Sequence, residues 1–115
     1  MAIKRHGVGP RLSQAVVHGD TVYLAGIVAE DPSADIKDQT EQVLGKIDGI
    51  LKGAGSDKSK LLSAQIFITD MRNFADMNSV WDAWVDKQNT PARATVQASL
   101  ANPKMLVEIM GQAAI

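Results

Sequence analysis

The spacing of hydrophobic residues changes repeatedly along this chain, and that alternation most constrains the fold. Residues 35–52 and residues 73–87 carry apolar side chains about every third or fourth position, which is typical of helices that pack on one side. The flanking segments alternate apolar and polar residues or are rich in β-branched residues, as strands are. The sequence therefore predicts the order β-β-α-β-α-β-β.

Turn residues separate the predicted strands. Gly19-Asp20 divides SQAVVH from TVYLAG, which indicates a hairpin, and Asn73 is a good N-cap for the second helix. A short additional strand near the N-terminus would extend this order. The predicted strands span residues 13–18, 21–26, 61–70, 93–99 and 105–113, with the short one near residues 3–6.

This pattern predicts a single α+β domain spanning residues 1–115, in which both helices cover one face of a β-sheet. The strands also place apolar residues on their other side, which no predicted helix covers. An uncovered apolar sheet face in a small domain favours self-association.

Composition excludes several functions. With 12 basic and 13 acidic residues the net charge is −1, so neither nucleic acid nor an anionic membrane is an expected partner. The chain has no cysteine, which excludes disulfides, thiolate nucleophiles and zinc–thiolate sites. There is no apolar run of about 20 residues and no signal-peptide core. We expect a cytoplasmic protein.

The common catalytic motifs are missing. His6 and His18 lack the spacing of metal ligands, and no serine lies in a GxSxG motif. The segment GAGSDKS lacks the GK[ST] ending of a phosphate-binding loop. The sequence thus gives no support for a metal site, a nucleotide site or a protein nucleophile.

Three polar residues stand among apolar neighbours: Asn78, Arg93 and Glu108. One interpretation is structural, with Asn78 a paired core amide and the two charges an ion pair between hairpin strands. The other is functional. A guanidinium binds a carboxylate through two parallel hydrogen bonds, and a nearby acid can hold a water or move a proton. Together they would suit hydrolysis of a small, reactive acid such as an imine.

Several stretches resemble the Rid family, the reactive intermediate deaminases or YjgF-like proteins. They are SQAVVHGDTVYLAG, FITDMRNFADMN and PARATVQASLANPKMLVEI, the last placing Glu108 fifteen residues after Arg93. The resemblance implies a chorismate-mutase-like subunit that forms a trimer with a barrel-like core and sites between subunits. It also implies cofactor-free and metal-free hydrolysis of enamine or imine intermediates, such as 2-aminoacrylate and 2-imino acids, to 2-keto acids and ammonia.

The resemblance also implies roles for single residues. Arg93 would grip the substrate carboxylate, and the backbone N–H of Thr95 would add a second contact. Glu108 would position the attacking water, Gly26 would turn its carbonyl toward the ligand, and Asn78 would lie near the site.

At two positions the chain departs from the family pattern, which often has Gln and Tyr where this chain has Ile27 and Leu12. Both residues are expected to line an altered pocket rim. Trp81 and Trp84 are expected to serve packing rather than ligand stacking. Two other functions stay open: a non-catalytic trimeric binder of small carboxylates or keto acids, and a ribonuclease or translation inhibitor.

Overall fold

The computed structural model describes residues 1–115 as one mixed sheet with two helices on one face, which confirms the predicted α+β class. Neither helix is long and apolar enough to cross a membrane. The strands are β1 (Ile3–Val8), β2 (Ser13–His18), β3 (Thr21–Val28), β4 (Leu61–Ile68), β5 (Ala92–Gln97) and β6 (Val107–Ala114), and the helices are α1 (Ile36–Gly53) and α2 (Phe74–Trp84).

The strand order in the sheet is β1-β2-β3-β6-β4-β5. Strands β4 and β5 are parallel because α2 connects them, and parallel neighbours need such a crossover. All other pairs are antiparallel. Strands β1 and β5 form the two free edges. The expected hairpin of the last two strands is wrong, because β4 lies between β5 and β6.

The core lies between the sheet and the helices. Every second residue of β6 is buried, and α1 buries the apolar stripe that its helical spacing predicted. This pattern follows from the alternation of side chains across a strand and the 3.6-residue period of a helix. We call this side of the sheet the covered face.

No element of the chain covers the opposite side, which we call the open face. Cross-strand pairing aligns Val28, Glu108, Phe67 and Val96 there, and a second row includes Tyr23. Val96 and Tyr23 are both exposed. The predicted apolar and uncovered face is therefore present.

The boundaries of β1 and α2 differ from the sequence prediction. Strand β1 is longer than expected, and α2 ends at Trp84 instead of near residue 87. Asn73 makes no side-chain cap hydrogen bond. A 3₁₀ turn, Met71–Asn73, leads directly into α2, so Asn73 already has φ −87° and ψ 4° where a capping residue needs an extended backbone.

Candidate active site

Arg93 lies on β5, opposite Ala64 of β4, so its side chain is on the covered face beneath α2. Its Nη1 donates a hydrogen bond of 2.8 Å to Asn78 Oδ1. The guanidinium carbon lies 5.2 Å from the centre of the Trp81 ring. The ion pairs of the chain are Lys46–Glu30 and Arg72–Asp70, so Arg93 has no carboxylate partner.

The backbone of β5 presents unpaired groups beside Arg93. Ala98 N–H donates to Ile68 O at 3.0 Å, so the backbone N–H and C=O groups of the even-numbered residues of β5 point toward β4. Because backbone groups alternate along a strand, those of Arg93 and Thr95 point to the free edge. The Thr95 N–H is thus available to an acceptor from outside the chain, whereas its Oγ1 is buried without a partner.

Glu108 lies on β6 and faces the open side of the sheet, between Phe67 and Val28. It is half-buried and forms no ion pair. Its carboxylate packs over Gly26, where a Cβ would come within 2.8 Å of Glu108 Cδ. A β-bulge between Leu24 and Ile27 places Gly26 in this position. Glycine here makes room for the carboxylate.

The start of β6 is fixed by a buried amide on α1. Gln39 Oε1 accepts from Leu106 N–H at 2.9 Å, and its Nε2 donates to Lys104 O at 3.1 Å and to Ala34 O at 3.0 Å. Both ends of the side chain are therefore satisfied without exposure. This network positions the residues that lead into Glu108, and the sequence analysis did not identify it.

Arg93 and Glu108 do not meet within one chain. They lie on opposite faces of the sheet, and β4 separates their strands. Two strand spacings correspond to about 10 Å, before the thickness of the sheet is added. The structural interpretation of an ion pair between neighbouring strands is wrong, because the hairpin it assumed does not form.

The two rim residues also lie elsewhere. Leu12 is 59% exposed in the turn between β1 and β2, and β2 is four strand spacings, roughly 19 Å, from β5. Ile27 is 5% exposed and faces Ile109 in the core. The Ile27 side chain therefore cannot line a pocket rim, because the bulge that frees Gly26 turns Ile27 inward.

The structure thus brings the predicted residues together in two groups. The arginine cluster consists of Arg93 with Asn78 and Trp81, beside the Thr95 backbone. The glutamate pair consists of Glu108 and Gly26. Leu12 belongs to neither.

Trp81 has a contact that the sequence analysis missed. It is buried, as expected of a packing residue, but its ring also faces the Arg93 guanidinium. Trp84 instead faces Lys58 and donates to Asp48 Oδ2 at 2.9 Å. The spacing of Asn78 and Trp81, three residues apart on α2, was the available signal that they share a partner.

Known proteins resemble this chain along its whole length. The model of the family Endoribonuclease L-PSP matches residues 4–115. The RutC family protein YoaB of Escherichia coli strain K12 is 46% identical over 115 residues, which is 100% of both chains.

Two crystal structures share the fold. A member of the YjgF protein family from Neisseria meningitidis is 45% identical with a TM-score of 0.96, covering 99% of this chain and 95% of that one. YyfA of Yersinia pestis, a protein of unknown function of the conserved Rid protein family, is 32% identical with a TM-score of 0.87, covering 94% and 90%. With a family model spanning nearly every residue and relatives of this similarity, the chain belongs to the Rid family, also known as the YjgF or RutC family.

Proposed function

We propose that this protein hydrolyses 2-imino acids and their enamine forms to 2-keto acids and ammonia. The observation that carries the proposal is the state of Arg93. Its guanidinium is half-buried, contacts only an amide and an aromatic ring, and has no acid in its own chain. A fixed and unneutralised guanidinium beside a free backbone N–H suits a carboxylate, which accepts hydrogen bonds through two oxygens.

Glu108 is the proposed acid–base residue. It accepts a proton from a water while the water oxygen bonds to the imine carbon, whose C=N electrons move to nitrogen. Glu108 returns that proton to the nitrogen, which gives a carbinolamine. It then moves the hydroxyl proton of the carbinolamine to the amine, so that the C–N bond breaks and ammonia leaves as the C=O bond forms. A carboxylate next to Gly26, with no cationic partner, is free for this task. The reaction needs no protein nucleophile.

Because Arg93 and Glu108 lie on opposite faces of one sheet, we propose that a site takes each of them from a different copy of the chain. The uncovered open face, with Tyr23 and Val96 exposed, supports such packing. A homotrimer with sites between subunits is the arrangement that the family resemblance implies, and it would also allow Leu12 to approach Arg93 from a neighbouring copy.

The reaction can be tested by generating imines in place with an amino-acid oxidase. Semicarbazide competes for the imine, so an active deaminase reduces semicarbazone formation and accelerates ammonia release. We expect wild-type protein to do so and Glu108→Gln to lose roughly a hundredfold or more in rate, the usual contribution of a general acid–base group. Glu30→Gln is the matched control, because Glu30 is paired with Lys46 on the surface. Equal rates for Glu108→Gln and wild type would exclude this role.

The shared site can be tested by co-expressing two inactive variants, Arg93→Ala and Glu108→Gln. If each site draws the two residues from different copies, mixed assemblies contain some intact sites. An equal mixture should recover about a quarter of wild-type activity when the subunits assemble at random. A mixture as inactive as either parent would mean that one copy supplies both residues.

A second candidate is a trimeric binder of small carboxylates without turnover. It is favoured by the arginine cluster, which is complete within one chain and needs no contribution from Glu108. Calorimetry with 2-ketobutyrate, performed beside the imine assay, separates the two functions. Binding with no effect on imine decay would support the binder.

A third candidate follows from the name of the matching family model, Endoribonuclease L-PSP. The net charge of the chain, −1, offers little attraction for RNA. Its two histidines lie on opposite faces of the β1–β2 hairpin, because His6 is opposite Ala15 and His18 is opposite Ile3. Incubation of highly purified protein with RNA tests this function. Cleavage that persists in Arg93→Ala and Glu108→Gln would place it outside the proposed site.

A further inference from the structure

Arg93 is held by two uncharged groups. Asn78 accepts from Nη1 at 2.8 Å, and the Trp81 ring lies 5.2 Å from the guanidinium carbon. Since arginine has donors and no acceptor, the atom of Asn78 that faces it must be the amide oxygen. This bond is the only hydrogen bond of the guanidinium within the chain, so most of its five N–H groups stay available.

We propose that Asn78 and Trp81 are positioning residues that orient Arg93 without neutralising it. The inference rests on the proposed carboxylate-binding role of Arg93. Asn78, which was expected only to lie near the site, thereby gains a role that acts through Arg93, because its oxygen is already engaged.

Arg72 illustrates what a charged partner would do. Asp70 accepts from Arg72 Nη2 at 2.7 Å and from its Nε at 3.0 Å, so one carboxylate occupies two of its donors. An acid at position 78 would engage Arg93 in the same manner and compete with a substrate carboxylate. A neutral amide fixes one nitrogen and leaves the positive charge in place.

Trp81 restrains the guanidinium from a second direction. Its ring attracts a cation through its π electrons but offers no lone pair to the N–H groups. Trp81 is 5% exposed, so packing fixes the ring itself. Asn78 and Trp81 are three residues apart on α2, and the helix therefore presents both to Arg93 as one rigid unit.

The first test compares Asn78→Ala and Asn78→Asp, with calorimetric Kd for 2-ketobutyrate and thermal Tm as readouts. Asn78→Ala should weaken binding by roughly ten- to a hundredfold, the change expected for losing a hydrogen bond to a charged group. Asn78→Asp should weaken ligand binding further. The Tm of this variant should not fall, because an ion pair with Arg93 replaces the hydrogen bond from Arg93 to Asn78. Asn73→Asp adds the same charge at the start of α2, where Asn73 has no side-chain cap bond, and should match wild type. Wild-type affinity in Asn78→Asp would overturn the proposal.

A second comparison concerns the two tryptophans. Trp81→Phe keeps a weaker aromatic face and should raise Kd about threefold. Trp84→Phe loses the bond to Asp48 but keeps an aromatic ring beside Trp81, whose ring centre lies 5.4 Å from that of Trp84, and should lower Tm while leaving Kd unchanged. If Trp84→Phe weakens binding as much as Trp81→Phe does, the effect comes from general loosening of α2 and the role of Trp81 is refuted.

A third test needs no ligand and therefore separates this inference from the proposed reaction. In NMR spectra of the arginine side chains, rotation within the Arg93 guanidinium should be slow in wild type and fast in Asn78→Ala. Exposed Arg5 provides the reference for free rotation. Slow rotation in a protein that does not hydrolyse imines would support the positioning role and reject the deaminase. Free rotation of Arg93 in wild type would reject the positioning role even in an active enzyme.

Discussion

Polar side chains have all their hydrogen-bond partners on the α1 side of the covered face, whereas those at the free edge of β5 do not. On α1, Gln39 and Thr40 are fully buried, and the described hydrogen bonds satisfy both side chains. On β5, Arg93 has one neutral acceptor and Thr95 Oγ1 has none. The first arrangement stabilises the fold. The second leaves charge and hydrogen-bonding capacity unused, which is typical of binding sites.

Removing the unneutralised charge should produce the largest effect. We expect Arg93→Ala to lose on the order of 2–5 kcal/mol of transition-state stabilisation in kcat/KM, by analogy with other desolvated charge contacts. Arg72→Ala should change kcat/KM little, because Asp70 already occupies that guanidinium at the surface. Steady-state kinetics with imines generated in place measures both. Equal losses in the two variants would abolish the distinction between these arginines.

Gln39→Ala tests the α1 side, where the buried polar side chains have hydrogen-bond partners. It removes a fully buried side chain together with its hydrogen bonds to Leu106, Lys104 and Ala34, so we expect a loss of about 2–4 kcal/mol in the free energy of unfolding. Gln42→Ala removes a single exposed contact to Asp31 N–H and should lose well under about 1 kcal/mol. Denaturant titration gives both values. A small effect at Gln39 would mean that the loops it joins are held by other contacts.

Valine substitutions at two threonines compare a buried hydroxyl without a partner with one that has a partner. Thr95→Val replaces a buried hydroxyl that lacks a partner with a methyl group and should raise the free energy of unfolding by about 1 kcal/mol. Thr40→Val removes the bond from Oγ1 to Ile36 O, which is 2.7 Å long, and should lower it by a similar amount. Opposite signs are the expected result. A loss in both variants would indicate that Thr95 has a partner in the assembled protein.

The smallest effect concerns pH and the neutralised arginine. Hydrogen bonds from Arg72 hold the pKa of Asp70 below its ordinary value of 3.8. A lowered folded-state pKa contributes stability above the unfolded pKa, and this contribution is lost as pH falls through the lowered value. Wild type should therefore exceed Asp70→Asn slightly in Tm near pH 7, and the difference should shrink as the pH falls below 3.8, with high salt also reducing it. A gap that persists in acid would point to a cause other than the charge.

Much of the fold was predictable from local pattern. The helical stripe of α1 and the alternation along β4 and β6 indicated which residues are buried, because each period fixes the face on which a side chain lies. Asn73 shows the limit of local rules, since the 3₁₀ turn before it changes the backbone that a cap requires. The network of Gln39 was not predictable either, because its partner Leu106 is 67 positions away in sequence.

For the candidate site, the sequence by itself identified the side chains on which the proposed function rests: a guanidinium, a carboxylate and an amide among apolar neighbours. Only the tertiary structure decided how they are grouped. Strand order depends on pairing between segments far apart in the chain, and the insertion of β4 between β5 and β6 separates Arg93 from Glu108 and turns them to opposite faces. Local periodicity can assign a residue to one side of its own strand, but it contains no information about which strand will be its neighbour.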